Sequence, residues 1–185
     1  WNLLGNPYGA SLDWANAGWT KTNIDDFAYL WNPATGNYQV TTGGDTGDSR
    51  VEGITTSDHI APFQAFFVKA NAANPELSVP SAARSTNADN ADLFNENPAP
   101  VFTLKLEAGE SESFTGFRFG EAYSQDFQQT DAYFLSPMAS TFAYTYSLKQ
   151  NRATLLNSLP LDLQEPAEFS VAAGAFVENA FYEGE

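Results

Sequence analysis

The chain contains no cysteine in 185 residues. Disulfides, thiolate zinc sites and cysteine nucleophiles are therefore excluded. That absence does not fix the compartment, because exported bacterial proteins also avoid cysteine. Histidine occurs once, at His59. One histidine could serve a Ser-His-Asp triad, but no serine lies in a nucleophile-elbow motif, so His59 reads as a solvated or turn residue. Bases are scarce: 8 Lys and Arg against 23 Asp and Glu give a net charge of -15. Without a basic patch to displace counterions, nucleic acid and anionic membrane surfaces are poor partners. No apolar run approaches the roughly 18 residues of a membrane helix. No signal-peptide pattern, amphipathic helix of ordinary length or fixed-period repeat is present. The chain opens on Trp1, strand-like in character, and reads as a piece of a longer protein.

What is present points to strands. Hydrophobic residues make up 43% and aromatics 15%, led by 15 Phe and 8 Tyr, types that suit pleated, half-buried surfaces. The 13 Gly and 10 Pro are spread along the chain, as short strands and turns require. Trp1 to Leu4 reads as a strand stopped by Gly5-Asn6-Pro7. Phe27–Trp31 and Asn37–Thr41 flank the turn Asn32-Pro-Ala-Thr-Gly36 and predict a hairpin. Thr42 to Asp58 reads as a long loop. Ile60 to Ala70 is apolar on both faces and predicts a central strand, with Pro62 tolerated near its start.

The second half alternates more cleanly. Phe102, Leu104 and Leu106 are expected to face in, and Thr103, Lys105 and Glu107 out. Phe114 to Phe119 returns, with Phe117 and Phe119 inward and Arg118 outward. Phe142, Tyr144, Tyr146 and Leu148 alternate with Ala143, Thr145, Ser147 and Lys149, and Ala153 to Leu156 pairs back. About ten to twelve strands with regular turn signals predict an all-β fold: an antiparallel, jelly-roll-like β-sandwich. It is expected to be a single module over 1–185, with a candidate internal boundary in the Asn-, Ala- and Asp-rich segment 81–100.

Four stretches carry a resemblance: Trp1-Asn-Leu-Leu-Gly-Asn-Pro-Tyr8, Leu12-Asp-Trp14, Trp31-Asn-Pro-Ala-Thr-Gly-Asn-Tyr38 and Ile60-Ala-Pro-Phe-Gln-Ala-Phe-Phe-Val-Lys-Ala70. They resemble a β-module of secreted and surface proteins of Bacteroidota-type bacteria, in which W-N-L-I-G-N-P-Y-P-S precedes I-A-P-G-Q-G-F-F-V-K-A. The second half resembles the same proteins at Phe119-Gly-Glu-Ala, Asp126-Phe127, Asp131-Ala-Tyr and Leu155 to Pro160. Such modules commonly stand before type IX secretion sorting domains, beside adhesins, peptidases and polysaccharide-degrading enzymes. The resemblance implies export to the cell surface or medium and no catalytic residues. The chain departs from the pattern at Gly9-Ala10, where Pro-Ser is usual, and at Phe63 and Ala65, where glycine is usual.

Two ligand chemistries deserve candidate residues. Calcium takes six to eight oxygens from carboxylates, amides and carbonyls, and the acids could supply them at Asp45, Asp48 and Glu52, at Asp126 and Asp131, or at Asp89 and Asp92 with Asn95. Sugars stack on exposed aromatic faces beside polar groups. Trp14 and Trp19, in an irregular segment, are expected to be exposed and, with Tyr38, to form such a platform. Trp1 and Trp31, in strands, are expected to be buried. A glycosidase would need two facing acids, and among Glu52, Asp58, Asp126 and Asp131 no pair stands out. The reading is a non-catalytic structural or adhesive module, extracellular or at the cell surface. Its expected partners are neighbouring domains of a parent protein, polysaccharide or like subunits. The alternatives are a carbohydrate-binding module and a subunit that assembles by β-strand addition.

Overall fold

The computed structural model describes residues 1–41, 53–56, 58–85, 101–137, 141–160, 170–177 and 180–183. Among them the chain is all-β, with one short 3-10 turn at Ser81–Ala83 and no α-helix. It divides into two compact units. The first holds Trp1–Leu30, Gln39–Arg50 and Thr55–Pro98, and the second holds Trp31–Tyr38, Val51–Ile54 and Ala99–Glu185.

The first nine strands are β1 (Asn2–Gly5), β2 (Ser11–Asp13), β3 (Thr20–Thr22), β4 (Tyr29–Asn32), β5 (Asn37–Val40), β6 (His59–Ile60), β7 (Ala65–Val68), β8 (Glu76–Ser78) and β9 (Arg84–Ser85). They form a four-stranded sheet in the order β1-β7-β4-β5, a three-stranded sheet β6-β2-β9 and a pair β3-β8. Of the apolar run 60–70 only Ala65–Val68 forms the expected interior strand, β7; Ile60 ends β6 in another sheet, and Phe63, expected within the strand, stands exposed in the turn between them. β1 is antiparallel to β7 in the register Leu3 to Phe67 and Gly5 to Ala65. Apolar residues on both faces suit a strand flanked on both sides. Leu4, Leu30, Phe66 and Val68 turn one face of this sheet to the core of the first unit, where they meet Leu12, Trp14, Trp19, Ile24, Ile60 and Ala83. Burying each large side chain contributes about 1.5–3 kcal/mol. The predicted hairpin turn is closed by the Gly36 N–H on the Asn32 carbonyl, with Gly36 at φ +67°. That left-handed conformation is one that glycine adopts without steric cost.

Asn6 fixes the turn after β1. Its side-chain amide donates to the carbonyls of Ala10 (2.8 Å), Ile60 (3.3 Å) and Ala61 (2.9 Å), and its Oδ1 accepts from the Tyr8 N–H. A buried asparagine thus supplies partners to backbone groups that no strand reaches.

The second unit is built on β10 (Val101–Ala108), β11 (Ser111–Gly120), β12 (Ala132–Tyr133), β13 (Thr141–Lys149), β14 (Arg152–Pro160), β15 (Ser170–Val177) and β16 (Ala180–Glu183). The order is β10-β11-β14-β13-β15-β16, with β12 on β14. The expected β10–β11 and β13–β14 hairpins are present and antiparallel. The expectation of antiparallel pairing is corrected: Val40 and Thr55 bridge in parallel, and β11 and β14 run parallel from Gly116 with Leu156 to Gly120 with Pro160. The result is a curled mixed sheet, a half-barrel in form.

Its curl brings β11 across β13 without a backbone ladder between them. Ser111 Oγ accepts from the Ala143 N–H at 2.9 Å, Ser113 Oγ accepts from the Thr145 N–H at 2.8 Å, and Thr115 Oγ1 donates to Thr145 Oγ1 at 3.1 Å. Residues two apart share one face of a strand, so three successive inward hydroxyls stand where a neighbouring strand's acceptors would be. Asn157 fills the split between β11 and β13. Its amide donates to the Gly116 carbonyl (3.2 Å) and the Ser147 hydroxyl (2.6 Å), and its Oδ1 accepts from Thr154 Oγ1 (2.9 Å).

Ser113→Ala strips the buried Thr145 N–H of its acceptor, which costs about 1–3 kcal/mol. Ser111 is only partly buried, so Ser111→Ala costs less because water can replace the hydroxyl. Urea unfolding of the two variants checks the ranking; equal losses, or none, would show that the hydroxyl ladder does not hold β11 to β13.

Candidate functional site

Trp14 and Trp19 lie in the core of the first unit, opposite to expectation. The indole N–H of Trp14 donates to the Asp26 carbonyl at 2.6 Å, and that of Trp19 to the Asp13 carbonyl at 2.7 Å. Their rings pack with centroids 4.9 Å apart, and Trp14 also meets Phe66 edge-on. The ammonium of Lys21 lies 4.1 Å above the Trp14 ring and donates to the Trp14 carbonyl at 2.7 Å. It occupies the ring face that a sugar would need. A segment without strand or helix period still buries its tryptophans, because each indole finds a backbone carbonyl in the same segment. Tyr38 is buried too, edge-on to Trp31, and burial raises its phenol above the ordinary value. The platform of Trp14, Trp19 and Tyr38 is thus corrected: these rings are packing elements. Trp1 and Trp31, expected inside, are 46% and 39% exposed.

Around Lys21 gather the acids Asp13, Asp26 and Asp58. Burial pulls the Lys21 ammonium below its ordinary value, and Asp26, Asp58 and Asp13 pull it back up. Burial raises the Asp26 carboxyl, against the pull of Lys21. A perturbed amine among acids is a functional candidate on general grounds. Here its geometry is that of a core component, clamped between an indole face and a carbonyl. His59 is half-buried in β6, opposite Asp13 of β2.

The second cluster lies in the second unit and centres on Asp131. This carboxylate accepts from Lys149 Nζ at 2.8 and 3.0 Å, from the Ser158 N–H at 2.6 Å and from the Gln128 N–H at 2.8 Å. The Asp131 and Lys149 side chains are 0% and 2% exposed. Lys149 also donates to the Ser158 carbonyl at 2.9 Å. Beside them Arg118 Nε donates to Ser158 Oγ at 2.9 Å, and its terminal nitrogen donates to the Thr130 carbonyl at 2.9 Å. Its guanidinium lies 5.2 Å over the Tyr123 ring. Burial raises the Asp131 carboxyl, while the Lys149 ammonium and the Ser158 and Gln128 N–H groups pull it down. Arg118 was expected outward and is buried.

For calcium, Asp131 is corrected: an ammonium already stands at the carboxylate, and both oxygens are held by N–H donors. Asp126 is exposed and accepts from Gln150 Nε2 at 2.6 Å. Asp45, Asp48 and Glu52 lie outside the described residues, as do Asp89, Asp92 and Asn95. Among the described residues no group of three or more His, Asp or Glu is placed to hold a metal ion. Phe102, expected inward on β10, is 53% exposed.

The sequence reading missed the Arg118–Asp131–Lys149 network. One signal was available in β13, where Thr145, Ser147 and Lys149 alternate with the aromatic face of Tyr144 and Tyr146, which puts Lys149 on the hydroxyl face. The chain matches no known family model, no curated protein and no solved structure.

Lys149→Met leaves the Asp131 carboxylate buried without its cation, and the expected loss is about 3–5 kcal/mol. Replacing both, as Asp131→Leu with Lys149→Met, removes both charges and recovers much of that loss. Chemical denaturation of the single and double variants reads the difference; additive losses would mean that the two groups are not coupled.

Proposed function

We propose that the chain is a non-catalytic structural and adhesive module of a secreted or cell-surface bacterial protein. One observation carries the reading: several interior polar side chains are directed at the protein's own backbone. Asn6, Asn157, Arg118, Asp131 and Lys149 each bind main-chain groups of neighbouring segments. Such side chains hold loops and strands in register, the requirement of a spacer or contact module. The quoted sequence stretches support placement outside the cell. The finer fold reading, a jelly-roll-like sandwich, draws support from the antiparallel four-stranded sheet β1-β7-β4-β5. The parallel β11–β14 pair stands apart from it.

The test is binding to a broad polysaccharide panel with and without calcium, together with Trp1→Ala and Trp31→Ala, the two exposed indoles. The expected outcome is no retention by any glycan and no calcium dependence. Retention that is lost in either variant while melting is unchanged would replace this reading with the carbohydrate-binding one. Trp14→Ala is not a usable control: emptying a core indole site costs about 3–5 kcal/mol.

A further inference from the structure

β1 stands at one end of the four-stranded sheet. An end strand offers unpaired N–H and C=O groups to other chains unless charge, proline, a bulge or a covering element blunts it. The protein blunts one such edge. β10, at the end of the curled sheet, carries Lys105 between Glu107 and Glu112, whose hydrogen bonds push the ammonium up to about 12. β1 carries Asn2-Leu-Leu-Gly5, with neither charge nor proline. Residues 1–12 and 60–68 hold no Asp, Glu, Lys, Arg or His, in a chain of net charge -15. On this uncharged edge Leu3 is 59% exposed and Trp1 46%.

Just beyond the Gly5 to Ala65 pair, Ala61-Pro-Phe-Gln64 closes a turn by the Gln64 N–H on the Ala61 carbonyl, with Phe63 at φ +60°. A bulky residue is strained there, and Phe63 is 74% exposed, so burial of its ring does not offset the strain. A strained residue kept at the surface points to a contact made there.

We propose that β1 is a self-association edge, through which two copies of this chain pair antiparallel about a two-fold axis. Leu3 meets Leu3 of the second copy at the centre. The Trp1 end of each strand then faces the Gly5 end of the other, beside Phe63. The occupant is a second copy because the surface is self-complementary under this symmetry and is free of charge where two strongly acidic chains must approach. The pairing rests on the reading of the chain as a structural module and supplies its means of assembly.

Sedimentation across a wide concentration range tests it on the whole chain. The expected result is a monomer–dimer equilibrium that tightens with added salt, which screens the mutual repulsion. Leu3→Lys, an edge charge at an exposed position, weakens association about tenfold or more without moving the melting temperature. Phe63→Gly raises the melting temperature by about 2–4 °C by removing the strain and weakens association, a combination that a purely structural role would not give. Amide exchange of Asn2 to Leu4 slows in the dimer. A monomer at every concentration, or a dimer unaffected by Leu3→Lys with no slowing at β1, overturns the pairing and leaves the glycan result to judge the module reading separately.

Discussion

The buried pair of Asp131 and Lys149 sets the terms for the second unit. Removing two charges from water costs several kcal/mol per ion, and the loss is recovered only where further hydrogen bonds complete each group. That condition dictates the surroundings. The carboxylate needs the Ser158 and Gln128 N–H groups, and the ammonium needs the Ser158 carbonyl. Residue 158 must therefore present its N–H and C=O to the pair, which fixes β14 at the stretch that pairs in parallel with β11. The segment 124–131 must return to the sheet to deliver Asp131. A pair of this kind adds little net stability, but misplacing either partner is expensive, so it selects one arrangement of the strands over its neighbours.

The first unit meets the same requirement from a different direction. Its core is apolar and aromatic, and backbone groups beside it are satisfied by Asn6, Asp13, and the indoles of Trp14 and Trp19, each closing a stretch of irregular backbone. Connecting segments carry main-chain donors and acceptors that strands would otherwise satisfy. Short side chains that bend back to their own backbone, and indoles that reach a nearby carbonyl, allow such segments to be buried. Trp14 then contributes packing and a hydrogen bond together, with Lys21 closing its remaining face.

Strand content was legible from alternation and from the spacing of glycine and proline. The β10–β11 hairpin, the β13–β14 hairpin and the interior place of β7 all follow from local pattern. What the sequence did not reveal depends on contacts distant along the chain. The parallel pairing of β11 with β14 has no local signature. Arg118 reads as an outward residue because its neighbours Phe117 and Phe119 are apolar, yet the curl of the sheet buries both faces of β11. The positions of the tryptophans were inverted for a related reason. A lack of periodicity at 13–28 suggested exposure, whereas its indole N–H groups supplied their own means of burial. Trp1, which reads as buried, stands half exposed just before an end strand. Local pattern marks which residues share a face, and only the neighbours of that face decide whether it meets water.

The hydroxyl-rich interior of the half-barrel shows why serine and threonine occupy positions where valine would pack as well. Where β11 crosses β13, the two backbones do not form a ladder, so the N–H groups of Ala143 and Thr145 need acceptors from elsewhere. Valine at 111 or 113 would fill the space and leave those donors unsatisfied, at a cost larger than its apolar contacts would supply. A hydroxyl costs little to desolvate once it both donates and accepts, and one every second residue matches the rise of β13. The curl is therefore not imposed on a finished sheet. It is possible because β11 carries its acceptors on side chains, which lets the strands separate without exposing or orphaning the backbone between them.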